Sequence, residues 1–298
     1  MDHLDTMRAF AAVADLGSFA GAARRLRLSP AAVTRAVAAL EQRLGLQLLH
    51  RTTRSVRLTE RGAVYRQSVQ RILTDITDAE RHARGQDAAP HGTLSVAAPI
   101  MFGRLHVLPI VAGLLRAHPT LSVRLTLSDR LVHLAEDGID IAIRIGALAD
   151  SALRAIKLGE VRHVLVASPA YLRQRGTPAS AADLHQHDLI AFEGSDLTQD
   201  WHFANTSPAT IRVAPRLLVT TADAAIAAAE ADLGITRTLS YQVHAALTGK
   251  RLRLVLDAFA PAALPINLVY SSTRHHAANV SSFAQAARAY FRAAPVTA

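Results

Sequence analysis

"SPAAVTRAVAALE" (residues 29–41) reads as a short helix with a sharply marked start, and "HRTTRSVRLTERG" (50–62) follows it with an arginine at every third or fourth position. Ser29 is placed to accept a hydrogen bond from a first-turn backbone N–H, and Pro30 has the fixed φ that suits the first helical position. Val33, Val37, Leu40 and Leu44 then fall on one face, and Gly45 closes the helix. Upstream, Leu4, Met7, Phe10, Ala11 and Ala14 keep helical spacing until Gly17, after which Ser18 stands as the N-cap of "FAGAARRLRL". The result is three short helices joined by tight turns. "LLHRTTRSVRLT" (48–59) alternates bulky and polar residues as a hairpin does, with Thr59 and Glu60 capping the next helix.

The chain has 298 residues, a length that predicts more than one compact unit. Half of its residues are hydrophobic, enough to fill real cores, and it contains no cysteine, which excludes disulfides, thiolate metal sites and thiol redox sensing. "LPIVAGLLRAH" (108–118) is broken by proline and charge, so no membrane span is expected. The opening "MDHLDTMRAF" lacks a basic stretch followed by an apolar core, so the expected address is the cytoplasm. Between Arg24 and Arg71 stand eleven arginines against two acids, Glu41 and Glu60. That excess equals the whole formal charge of +9, so the rest of the chain balances. A basic patch confined to a sixth of the protein is the electrostatic footprint of phosphate binding, although a solvated basic face has the same composition.

Helix, tight turn and Ser-Pro-capped helix form the arrangement in which the second helix enters the major groove of DNA by its N-terminal end. Small residues suit that position: Ala31 and Ala32 allow close approach and contact with thymine methyls, while Ser29, Thr34 and Arg35 offer hydrogen bonds to bases or phosphates. The hairpin would then be a wing whose Arg51, Arg54 and Arg57 hold the flanking backbone or minor groove. An ordinary three-helix core fragment is the competing reading.

A helix over about 60–84 follows, with Tyr65, Val69, Ile72, Ile76, Ala79 and Ala83 spaced by fours and threes. This heptad seam wants an apolar partner, either within the chain or on a second copy of the same helix. "RGQDAAPHG" (84–92) reads as a linker. Beyond it, "TLSVAA", "SVRLTLS", "IDIAIRIG", "VRHVLVAS", "DLIAF" and "LPINLVYSS" read as strands. "LPIVAGLLRAH", "RLVHLAED", "PAYLRQRG", "TADAAIAAAEADLG" and "NVSSFAQAARAYFRAA" read as helices between and after them. The alternation predicts mostly parallel sheets covered on both faces, and about 200 such residues predict two α/β lobes.

The segment "GSFAGAARRLRLSPAAVTRAVAALEQRLGLQLLHRTTRSVRLTERGAVYRQ" (17–67) resembles the N-terminal winged helix-turn-helix of the LysR-type transcriptional regulators. "GTLSVAAP", "EDGIDIAIRIG", "SPAYL" and "LPINLVY" resemble the effector domain of the same family. Two positions depart from its pattern: Leu49 where Phe is more frequent, and Ala231-Asp232 where an Ala-Gly pair is commoner.

The resemblance implies an all-α winged helix-turn-helix head over 1–59, a linker and dimerisation helix over 60–91, and an α/β effector domain over 92–298. That domain would be two-lobed like type II periplasmic binding proteins, with lobe one at 92–164 and 268–298 and lobe two at 165–267. DNA contacts would come from Ser29, Pro30, Ala31, Ala32, Thr34 and Arg35 and from Arg51, Thr53, Arg54 and Arg57. Tyr65, Val69, Ile72, Ile76 and Ala79 would form the dimer seam. The implied partners are double-stranded DNA, a small organic effector, further copies of the chain as a dimer or tetramer, and RNA polymerase, with no cofactor and no membrane.

Ligands of doubly wound sheets sit at the carboxyl ends of strands. That rule, which agrees with where the family holds its effectors, selects Pro99, Ile100, Met101 and Phe102, then Ser128, then Arg144 and Gly146, then Thr220 and Thr221. The Arg144 guanidinium suits a carboxylate, and equally an ion pair with Asp140 or Asp150. Met101 and Phe102 would make an apolar floor or plain core, and one of the two threonines would cap the helix starting near Asp223. No G-x-S-x-G elbow, P-loop, H-E-x-x-H or G-x-G-x-x-G is present, which argues against the commoner enzyme classes. His185/His187 and His275/His276 each lack a third ligand at metal spacing and read as surface histidines. A nonspecific nucleoid-type binder would explain the charge but would leave the α/β half without a task.

Overall fold

The three N-terminal helices form where their caps and apolar stripes predict: α1 (His3–Leu16), α2 (Phe19–Leu26) and α3 (Pro30–Leu44). The Ser18 hydroxyl accepts from the Gly21 N–H and the Ser29 hydroxyl from the Ala32 N–H, each at 3.1 Å. Gly45 ends α3 at φ 66°, the left-handed turn that commonly terminates helices. Phe10, Val13, Ala22, Val33, Val37 and Leu40 lock the three together in one core. The computed structural model describes residues 2–51, 56–83, 89–148, 153–192, 200–207, 209–271 and 278–296, which divide into units Met1–Ala89 and Pro90–Ala298.

Strands β1 (Leu49–Arg51) and β2 (Val56–Leu58) pair antiparallel. The Glu41 carboxylate accepts from the N–H groups of Leu48 (2.9 Å) and Leu49 (3.1 Å), tying this hairpin to α3. Helix α4 (Glu60–Ala83) starts under the Thr59 hydroxyl, which accepts from the Gly62 N–H at 2.9 Å. Gly62 is required here, because a Cβ would lie 2.0 Å from the Leu48 carbonyl oxygen.

The expected seam of α4 is split. Val69 is fully buried, and the Tyr65 ring lies 5.6 Å from Phe10, so both, with Leu73, pack on the core of their own unit. The α1 surface is the nearer apolar partner, and it takes the first half of the heptad. Ile72 remains 40% exposed, Ile76 is half-buried and Val64 is 63% exposed. The side chains of Arg51 and Ala79, together with Thr53 and Arg54, lie outside the described residues.

The second unit carries β3 (Gly92–Ala98), β4 (Leu121–Leu127), β5 (Ile141–Ile145), β6 (Leu153–Val161), β7 (His163–Ala167) and β8 (Leu189–Phe192). It continues with β9 (Asp200–His202), β10 (Thr210–Arg212), β11 (Leu217–Val219), β12 (Ile235–Leu239), β13 (Arg253–Val255) and β14 (Leu264–Ser271). Its helices are α5 (Ile100–Ala117), α6 (Pro169–Arg175), α7 (Ala222–Glu230), α8 (Ser240–Thr248) and α9 (Ala278–Ala293). One five-stranded sheet runs β4-β3-β5-β14-β6 and the other β11-β8-β12-β7-β13, with β9 and β10 as a separate hairpin.

Both sheets are mixed rather than mostly parallel. β3 lies parallel to β4 and β5, but β14 is antiparallel to β5 and β6. β8 lies parallel to β11 and β12, while β7 runs against β12 and β13. The antiparallel strands are the ones at which the chain passes between sheets. It leaves the first sheet after Val161 and re-enters at Leu264, so His163–Ala167 belongs wholly to the second sheet and Leu264–Ser271 to the first. The expected crossings near 164 and 267 therefore shift by a few residues, because a hydrogen-bonded strand is not divided between sheets.

The segment "RLVHLAED" (130–137) is a turn, not a helix. Asp137 accepts from the His133 N–H at 2.8 Å and its own N–H returns to the His133 carbonyl, after which Gly138 at φ 70° breaks off. Helix α5 is long and apolar enough to cross a bilayer, contrary to the reading of "LPIVAGLLRAH" alone. Its Met101, Phe102, Val107, Ile110, Val111 and Leu114 pack into the core with Phe283 and Phe291 of α9, which accounts for that apolarity.

Candidate DNA-reading head and effector cleft

In the head, the 3.6-residue period of α3 buries Val33, Ala36, Val37 and Leu40 and turns the other side outward. Ser29, Pro30, Ala31, Thr34 and Arg35 are exposed on that side, and Ala32 is half-buried. The Ser29 hydroxyl is engaged as the cap, and the Thr34 hydroxyl donates to the Pro30 carbonyl at 2.9 Å, leaving its lone pairs outward as acceptors. The first two turns of α3 thus form a narrow surface with one cationic fork, Arg35. Arg57 is exposed on β2 opposite His50.

In the second unit a cleft of about 620 Å³ opens between the two sheets. Pro99, Ser128, Arg144 and Gly146, all selected from the sequence, line it. Ile100, Met101, Phe102, Thr220 and Thr221 do not. Met101 and Phe102 are buried on the inward face of α5 and serve as core. The Ile100 N–H donates to the Asp129 carboxylate at 3.0 Å, so an internal acid takes the helix-start position expected for a ligand. Thr221 stands at the N-cap position of α7, where its hydroxyl bonds the Asp223 carboxylate and holds that group below its ordinary range.

Arg144 extends from β5 and donates through Nη2 to the Val132 carbonyl at 2.9 Å. It forms no ion pair among the described residues; Asp140 is instead buried beneath β3, accepting from the Ser95 N–H at 2.8 Å, and Asp150 lies outside them. The Arg144 Nε–H is shielded from solvent and has no acceptor among the described residues, a deficit of roughly 1–3 kcal/mol in a closed interior.

The facing wall comes from the second sheet, the β9–β10 hairpin and the start of α8. Trp201 is buried beneath Arg237, whose Cζ lies 5.6 Å from the indole centroid and whose Nη1 donates to the Asp200 carbonyl at 3.3 Å. Phe192, Leu218 and Tyr241 complete an apolar surface, with burial holding the Tyr241 phenol protonated well above its usual range. Behind Tyr241 the His106 ring packs against Phe102 at 4.8 Å and Phe291 at 5.8 Å, and burial lowers its pKa.

Residues 87–292 match the LysR substrate binding domain, and residues 4–63 match the bacterial regulatory helix-turn-helix protein of the lysR family. The chain belongs to the LysR family. This LysR-family transcriptional regulator is 34% identical to an HTH-type transcriptional repressor of Pseudomonas aeruginosa, over 95% of its own length and 90% of the relative's. It is 32% identical to the transcriptional regulator CrgA of Neisseria meningitidis, over 91% of each chain. The solved structure of CrgA superposes with a TM-score of 0.63, at 29% identity over 96% of this chain and 97% of that one. The Vibrio cholerae virulence activator AphB does so at 0.61, with 26% identity over 97% and 99%.

Several cleft residues of this LysR-family chain were invisible to sequence reasoning: Asp129, His163, Phe192, Trp201, Arg237 and Tyr241. Apart from Asp129 they lie on strands of three to five residues or at the start of α8, and only folding brings them opposite Arg144. Asp129 alone carried a local signal, since an acid just after a strand suits a neighbouring helix start. Among the described residues no three His, Asp or Glu side chains gather as metal ligands. His187 instead shares a 3.1 Å hydrogen bond with the Tyr171 hydroxyl, and His275 and His276 lie outside the described residues.

Proposed function

We propose that this regulator reads DNA as a dimer through α3 and the wing, and that a small organic effector held in the cleft biases its DNA-bound state. One observation carries the first part: the exposed first two turns of α3 present only small side chains and Arg35, a surface that fits the roughly 12 Å wide major groove. Arg57 on the wing supplies phosphate contact that positions without specifying. The exposed Ile72, with Ile76 and Val64, gives α4 an apolar strip for a second copy, with Ala79 continuing the heptad. Ser128, Arg144 and Gly146 supply polar contacts to the effector, with Thr220 and Thr221 outside its reach.

The protein acts by binding rather than turnover, in the cytoplasm. An effector shifts the population of DNA-binding arrangements only as far as it prefers one of them.

The test is a genome-wide footprint of the purified protein at near-physiological salt, repeated with Arg35→Ala and Arg57→Ala. Sharp dyads with half-sites one or more helical turns apart are expected. Arg35→Ala should cost about 1–3 kcal/mol and relax one base position, whereas Arg57→Ala should weaken all sites alike and lower the salt slope by about 1. Equal behaviour of the two variants would mean that α3 does not read bases.

A further inference from the structure

The cleft's lining is chemically one-sided. Among the described residues that line it, Arg130, Arg144 and Arg237 stand with one acid, Asp129, and one oxygen of that carboxylate is already taken by the Ile100 N–H. Positive charge between low-dielectric walls raises the local concentration of anions. Arg144 is the focus of this field. Among the described residues it has a carbonyl dipole where a structural arginine has a carboxylate, and one donor without an acceptor. A planar guanidinium in that condition matches a carboxylate, which accepts two parallel N–H bonds.

The opposite wall defines the rest of the ligand. Phe192, Trp201 and Leu218 offer apolar area, and the polar Thr238 and Gln242 that also line it are bonded to each other, with Gln242 donating to the Tyr241 hydroxyl as well. A sugar placed there would leave several hydroxyls unpaired, each at a cost. A phosphate dianion would want free N–H groups at a helix start, and the one at Ile100 is occupied by a carboxylate that repels it.

We propose that the effector is an organic carboxylate with a flat apolar body, its anionic end on Arg144 and its body against the Phe192–Trp201–Tyr241 wall. This rests on the effector reading above and gives the ligand its chemical class.

The chain's sole tryptophan, Trp201, lines the cleft, so its emission reports occupancy directly. Full-length protein is titrated with benzoate, phenylacetate, 1-naphthoate and hexanoate, each beside its amide, and with inorganic phosphate and glucose. At least one carboxylate should shift the emission saturably and bind about tenfold or more tighter than its amide. Arg144→Gln should abolish that preference, and Arg144→Lys, which keeps the charge but not the fork, should retain part of it. An amide equal to its acid, or a preference that survives in Arg144→Gln, overturns the proposal. Binding of only phosphate, glucose or neutral probes overturns the carboxylate class while the effector reading stands. No response to any probe in a protein that still binds its operator overturns both.

Discussion

Asp15, at the end of α1, and Arg66, on α4, are 51 positions apart and joined through a single carboxylate oxygen: Oδ1 lies 2.8 Å from Arg66 Nη2 and 3.1 Å from Nε. Gln70 donates to the same oxygen at 3.2 Å, and Arg25 of α2 approaches Oδ2 at 3.4 Å. One side chain thus fastens three helices of the head. The pairs are partly solvated, so each is worth less than about 1 kcal/mol, and Asp15→Ala should destabilise the head by about 1–2 kcal/mol in total. Urea titration of the isolated pair of variants Asp15→Ala and Asp15→Asn checks this; an unchanged midpoint in both would show that the cluster is decorative.

Ile72→Lys with Ile76→Lys should separate the proposed dimer while leaving the head folded, because Ile72 is already 40% exposed in the single chain. Light scattering should then give the 31.9 kDa of one chain. A species that keeps twice that mass would move the seam elsewhere. Val69→Lys, by contrast, should unfold the head, since that position is fully buried.

His106 gives the second unit an acid sensitivity with a definite sign. Burial depresses its folded pKa, so the unfolded chain binds the proton more readily. The stability it contributes is fully present above the ordinary histidine value of about 6.5 and is lost as pH falls from there through the folded value. Melting temperatures between pH 8 and pH 5 should drop on the acid side, and His106→Phe should flatten part of that slope. Burial also lowers the pKa of His187, so some slope should persist. An identical slope in His106→Phe would refute the assignment.

Asp232 occupies the position where the family more often has glycine, and it adopts φ 67°. Its carboxylate accepts from the buried Ser168 hydroxyl, which itself caps α6 by accepting from the Tyr171 N–H at 3.0 Å. The aspartate offsets its backbone strain with that bond. Asp232→Gly should trade one for the other and stay within about 1 kcal/mol, whereas Asp232→Ala keeps the strain, loses the bond and should cost about 1–3 kcal/mol. Guanidinium midpoints that rank alanine level with glycine would contradict this.

The head was legible because its signals are local. Ser18, Ser29, Thr59 and Gly45 each act within a few residues, and the stripe of Val33, Val37 and Leu40 needs no knowledge of the partner helix. The heptad of α4 was legible as a pattern but not in its use, since periodicity does not say whether Tyr65 and Val69 meet their own chain. In the second unit, β3, β4, β5, β7, β8 and β14 were read from the sequence, while β9 to β13, of three to five residues, carry too little alternation, and the nine-residue β6 was missed because Arg154, Lys157 and Glu160 interrupt its apolar pattern. Trp201, Leu218 and Arg237 of the cleft were lost with them. The turn at 130–137 shows the opposite error, in which a helical period outweighed Gly138 and the carboxylate of Asp137.

The two passages between sheets leave from adjacent positions. Val161 and Leu264 are paired residues of antiparallel strands, and next to them the Ser240 N–H holds the Arg162 carbonyl at 2.9 Å while Arg162 pairs with Asp257. Two pins set side by side let a door swing but not slide. Paired crossings of this kind favour hinge rotation of the lobes over sliding, so ligands of different size would differ chiefly in how far they turn that hinge. What the cleft can pass on is then a graded reading on one dial, not a choice among unrelated shapes.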